Sequence, residues 1–117
     1  MLIDDDKLKS TIRDIPLFSE LSIEQLRKIS SFSKIKSFKK HEIIFNEGDF
    51  YVGFYILLKG GVKVFKTSSK GKESIVHLVS PLTAFADIPL FEGGNYPVGA
   101  QTLEESLTLF IPKEKFL

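Results

Sequence analysis

The spacing of apolar residues changes at Lys34. Before it, they recur at helical intervals. Leu8, Ile12 and Ile15 fall at i, i+4 and i+7 behind the acidic run Asp4-Asp5-Asp6, which suits the positive end of a helix. Pro16 ends that helix. Ser22-Ile-Glu-Gln25 has the form of a capping box, with Leu21 and Leu26 placed as a hydrophobic staple. A second helix is therefore predicted to run to about Ser31, turning Ile23, Leu26, Ile29 and Phe32 to the core; the two helices occupy 4–32.

After Lys34 the period is that of strands. Extended segments are predicted around Ile35, over Glu42–Phe45, Gly53–Leu58, Val62–Lys66 and Glu73–Val79, then Val98–Leu103 and Leu107–Ile111. Gly53–Leu58 is apolar on both faces, the mark of a central strand. Asn46-Glu47-Gly48-Asp49 is a turn that needs its glycine, and Gly60-Gly61 and Lys70-Gly71 read as tight hairpins. Pro112 opens what reads as the first turn of a further helix over 112–117. Strands at this spacing predict a mainly β chain, a sandwich, jelly roll or barrel over 34–111, capped by the N-terminal helices as one domain, 1–117.

One stretch interrupts the strands. Phe85 to Ala100 reads as a single helical turn followed by a glycine-rich loop. Asp87 can cap the turn, Ile88, Leu90 and Phe91 can anchor it inward, and Gly93-Gly94-Asn95 permits positive φ. A helix start beside such a loop offers free N–H groups to an anion. A plain β-crossover closed by a turn fits the same residues.

Composition narrows the chemistry. With 43% hydrophobic and 26% charged residues the chain is globular, and eleven Phe without Trp predict a phenylalanine-rich core. A net charge of +1 gives no whole-domain drive toward nucleic acid. The absence of Cys removes disulfides, thiolate metal sites and thiol catalysis. The acidic start lacks the apolar region of a signal peptide, and no apolar run approaches the roughly 18 residues of a membrane helix, so a cytoplasmic protein is expected.

Candidate sites outside the cassette are few. His41 and His77 stand apart and cannot assemble a metal-binding histidine cluster, so no metal site is expected. His77 alternates with Ile75 and Val79, which places all three on one strand face. Asp87 and Glu92 could be imagined as a carboxylate pair, but no nucleophile or oxyanion donor accompanies them; no catalytic residue and no enzyme is expected. Lys34, Lys36, Lys39 and Lys40 lie among Phe32 and Phe38. A nucleic-acid strand would need those aromatics exposed; alternation instead puts Phe38 inward while the lysines guard an edge strand.

Ile15-Pro-Leu-Phe18, Phe45-Asn-Glu-Gly-Asp49, Phe54-Tyr-Ile-Leu-Leu-Lys-Gly60-Gly-Val-Lys-Val64, Gly71-Lys-Glu73 and the 85–100 stretch together resemble the cyclic-nucleotide-binding domain. The likeness is closest to the effector domains of Crp-Fnr-type transcription regulators and runs from about Ile15 to Leu117. It implies an eight-stranded β-roll, or double-stranded jelly roll, with two N-terminal helices and a short cassette helix. It places Gly48, Gly60 and Gly71 at structural turns. Residues 85–100 become a phosphate-binding cassette, with Phe85, Ala86, Asp87, Tyr96, Pro97 and Val98 at the ligand-binding positions. Beyond about Lys113, it implies a long dimerisation helix and a helix-turn-helix domain. A full-length homodimer, DNA contact through a C-terminal domain absent from this chain, and no membrane association follow from it. Haem held by His77, as in gas-sensing members, is an alternative that the resemblance allows, but a surface or hydrogen-bonded strand histidine fits that position better.

The cassette departs from the nucleotide-binding pattern. Where binders show Phe-Gly-Glu, this chain has Phe85-Ala86-Asp87, and where they carry an arginine and a small residue it has Tyr96-Pro97. That arginine would neutralise the cyclic phosphate by a charge-assisted contact. The only arginines here are Arg13 and Arg27, and Pro97 lacks the backbone N–H that could have donated. Cyclic AMP is therefore not expected to bind by the usual contacts, and no cofactor is assigned. Residue supply predicts an apolar pocket for a small uncharged or aromatic ligand anchored by Tyr96 and Asn95, or else a cavity filled by Tyr96 or Phe91 turned inward. Two functions fit. One is the ligand-sensing effector domain of a regulator that continues past Leu117. The other is a stand-alone protein-interaction or relay module without a small-molecule ligand.

Overall fold

The computed structural model describes residues 22–87, 89 and 92–116. The helix predicted before Pro16 and the Leu21 side of the staple lie outside them. Helix α1, Ile23–Phe32, starts on a complete capping box. The Gln25 N–H donates to the Ser22 hydroxyl at 3.2 Å, and the Ser22 N–H donates to Gln25 Oε1 at 2.9 Å. Ile29 is buried and Phe32 half-buried, as predicted. Ile23 is not: it is 63% exposed. At 3.6 residues per turn it lies about 120° around the helix from Ile29, off the apolar stripe.

Eight strands follow: β1 (Lys34–Phe38), β2 (Ile43–Phe45), β3 (Gly53–Lys59), β4 (Val62–Thr67), β5 (Glu73–Val79), β6 (Ala84–Phe85), β7 (Gly99–Thr102) and β8 (Ser106–Pro112). They form two antiparallel four-stranded sheets, ordered β1-β8-β3-β6 and β2-β7-β4-β5. This is the mainly β roll that the sequence predicts. β3 lies between β8 and β6 and is buried from Gly53 through Leu57, as its two-sided apolar character requires. Tyr55 stacks on Phe45 of the opposite sheet, so Tyr55 and Leu57 face the interior of the roll. Phe54 and Ile56 point the other way with Leu109 and Ile111, and all four are fully buried on the side where α1 and α2 (Lys113–Phe116) pack. No helix among the described residues is long and apolar enough to cross a membrane.

Three local expectations are corrected. Gly60-Gly61 is not a hairpin, because β3 and β4 belong to different sheets, and it carries the chain from one to the other. Gly60 has φ 107°, and a Cβ there would collide with the Ser106 hydroxyl and the Glu105 carbonyl, so the crossing requires glycine. Lys70-Gly71 does close the β4–β5 hairpin, through Ser68 N–H to Lys72 O at 2.8 Å and Gly71 N–H to Ser68 O at 2.9 Å. Along β5 the register shifts, pairing His77 with Val64 but Ile75 with Phe65. Ile75 therefore leaves the face shared by His77 and Val79. On β1, Lys34, Lys36 and Phe38 pair with Phe110, Thr108 and Ser106, which puts the two lysines and Phe38 on the same face. Lys36 Nζ sits 4.2 Å from the Phe110 ring centroid, its stem crossing the rim of the roll to reach water. β1 is an edge strand all the same.

Candidate ligand site under the cassette

The cassette region enters on β6, a two-residue strand paired to Tyr55 and Ile56. Phe85 is buried and stacks on Tyr55 at 5.5 Å and on Phe45 at 6.4 Å. Ala86 follows with φ 64°, in the left-handed region that glycine occupies without cost. Its carbonyl accepts from the Tyr51 hydroxyl at 2.8 Å. Asp87 is half-buried, and the first-turn N–H groups that it is predicted to cap lie outside the described residues. Pro89 and Glu92 are helical, and the Gly93 N–H returns to the Pro89 carbonyl at 2.8 Å, which closes the turn and uses one N–H that an anion would need. Gly93 and Gly94 then take φ 79° and 91°, as their sequence predicts.

Tyr96 decides the character of the site. Its side chain is 3% exposed and lies inside the roll. The ring stacks on Phe45 with centroids 4.0 Å apart and planes 12° from parallel, and meets the edge of Tyr51 at 4.9 Å. Its hydroxyl donates to the Gly53 carbonyl at 2.7 Å. Its backbone is fixed as well: the Tyr96 N–H donates to Asp49 O at 3.1 Å, and the Gly48 N–H donates to Tyr96 O at 2.8 Å. Burial pushes the phenols of Tyr51, Tyr55 and Tyr96 above their ordinary value, with Tyr96 adding to the effect on Tyr51 and Tyr55. All three stay neutral at physiological pH.

Of the other cassette positions, Val98 is half-buried against the core, while Pro97 and Asn95 are exposed. Asn95 therefore does not join Tyr96 as an inner anchor. His77 lies on the exposed edge strand β5, away from the aromatic cluster. Of the two side chains foreseen as an internal filling, Tyr96 is inside; Phe91 lies outside the described residues. The sequence did not single out Tyr51. It sits in the aperiodic 46–52 segment, where the only available signal was an aromatic residue two positions before a glycine.

A family model for the cyclic nucleotide-binding domain matches residues 35–117. The chain belongs to that family. Among curated proteins it is similar to the transcriptional activator protein Anr of Pseudomonas protegens, 31% identical over 98 residues, which is 81% of this chain and 39% of that protein. It is also similar to the cyclic AMP receptor protein of Thermus thermophilus, 26% identical over 102 residues, 87% of this chain and 47% of that protein. The chain thus spans less than half of either relative. Among solved structures, the sensor domain of the transcriptional regulator DNR from Pseudomonas aeruginosa superposes with a TM-score of 0.91 at 24% identity, covering 96% of this chain and 75% of that one. The fold of this chain is the β-roll shared with that sensor domain.

Proposed function

We propose that this cyclic nucleotide-binding domain is the non-enzymatic effector domain of a Crp-Fnr-type transcription regulator, and that it does not bind cyclic AMP by the usual contacts of its family. In the full regulator it works as a homodimer and reaches DNA through a separate C-terminal domain. The observation that carries the cassette reading is Tyr96. It stands where the resemblance calls for a phosphate-binding arginine, and its ring is buried at 4.0 Å on Phe45 with the hydroxyl spent on Gly53. A neutral phenol cannot offset the cyclic phosphate charge, and Arg27, the one arginine among the described residues, is exposed on α1. Isothermal titration with cyclic AMP at moderate salt tests this. The expected trace shows no saturable heat at micromolar protein; a micromolar or tighter dissociation constant contradicts the reading.

A further inference from the structure

We propose that residues 48–53 form a strap that ties the cassette to the start of helix α2, so that the two loosen together. The segment follows β2 and ends on Gly53, the first residue of β3, and residues 48–52 lie outside both sheets. Its hydrogen bonds go to the cassette on one side and to α2 on the other. Tyr51 reaches the cassette head, its hydroxyl donating to the Ala86 carbonyl at 2.8 Å. The far end of the cassette is held through Tyr96. The Tyr96 N–H donates to Asp49 O at 3.1 Å, its carbonyl accepts from the Gly48 N–H at 2.8 Å, and its hydroxyl donates to Gly53 O at 2.7 Å. The Lys113 N–H, first of α2, donates to Val52 O at 3.1 Å.

The Val52–Gly53 peptide joins the two halves. It is a rigid plane whose carbonyl oxygen is held by Lys113. Burial raises the Tyr96 phenol, and backbone groups of Val52 and Gly53 act to lower it, which places the hydroxyl against this same peptide. Gly53 also pairs with Pro112, the residue before α2. A shift of Tyr96 therefore moves the acceptor of the first α2 N–H. The strap's side chains add little to hold it still. Tyr51 is buried, but Phe50 is 83% exposed and Val52 52%. A segment with few buried contacts, tied mainly by hydrogen bonds, opens locally at a lower free energy than the whole fold. The coupling does not depend on what the cassette binds. It is also reciprocal, so a change at either end is felt at the other.

Hydrogen exchange on the full chain tests the strap from both ends. Lys113→Pro deletes the N–H that Val52 O accepts. Proline is tolerated at the first position of a helix, and the extended backbone of Pro112 suits a following proline. The amides of Gly48 and Tyr96 are then expected to exchange roughly threefold to tenfold faster, the worth of about one hydrogen bond. The amides of Thr102 and Leu103, bonded to Glu42 O and Gly61 O at the end of β7 away from the cassette, are the references and should change less. From the other end, Tyr96→Phe keeps the ring and removes the hydroxyl, and Tyr51→Phe does the same at the cassette head. Each should speed Lys113 exchange by a similar factor relative to those references. Unchanged Gly48 and Tyr96 amides in K113P, or an unchanged Lys113 amide in the folded phenylalanine variants, would show independent ends and overturn the strap. Equal acceleration of these amides and the references would show a general loss of stability and overturn it too. If one phenylalanine variant does not fold, the other and K113P decide by the same readout.

Discussion

At the scale of single residues, the site is built from side chains that the family pattern does not contain. Ala86 holds φ 64° at the head of the cassette, where binders carry glycine. The left-handed region costs a non-glycine residue roughly 1–2 kcal/mol, and a glycine gives back about 0.4–1 kcal/mol through its looser unfolded chain. Ala86→Gly should therefore stabilise the domain by about 0.5–1 kcal/mol, seen as a higher urea midpoint with an unchanged slope. A lower midpoint would mean that the Ala86 methyl packs better than its backbone angle costs. Tyr96 was legible in sequence as an inward-turning candidate, since an aromatic in a cassette otherwise short of polar side chains has few places to go. Its partners were not. The Gly53 carbonyl is a backbone group that no side-chain pattern reports, and Tyr51 lies in an irregular segment without a period.

At the scale of elements, strand positions were readable because alternation and glycine turns mark them. Sheet membership was not, because Gly60-Gly61 serves a hairpin or a crossing between sheets equally well in sequence. β6 was missed for a simpler reason: two residues carry no period. The β5 bulge likewise leaves no mark in the sequence Glu73–Val79, so the shared face read for Ile75 and His77 failed at the register shift. The join between β3 and β8 offers the sharpest test of packing at this scale. A Cβ at Gly53 would collide with the Ile111 carbonyl oxygen and lie 2.9 Å from two Phe110 ring carbons. A backbone oxygen in a strand cannot retreat as a side chain can, so Gly53→Ala should cost about 1–3 kcal/mol or more. At Gly94 a Cβ meets nothing within 4 Å, and only its φ of 91° opposes a side chain. Chemical denaturation of both variants should rank Gly53→Ala as clearly the more damaging; the reverse order would show that the strand pair can separate at little cost.

At the scale of the whole molecule, the account rests on a roll whose interior is closed by its own aromatic rings. The chain's three tyrosines are Tyr51, Tyr55 and Tyr96, and they are only 3–4% exposed. Their folded values are raised above the ordinary value of 10.0 shown by the unfolded chain. The stability they contribute is complete below about pH 10 and is lost as pH climbs above it, because only the unfolded state then releases its phenolic protons. A spectrophotometric titration of phenolate absorbance, followed alongside circular dichroism, therefore tests the central claim directly. The account predicts no tyrosine ionising near pH 10 while the fold is intact, with all three appearing together as the protein unfolds in alkali. One equivalent of phenolate titrating reversibly near pH 10 in folded protein would place a tyrosine in water, and the closed interior would be contradicted.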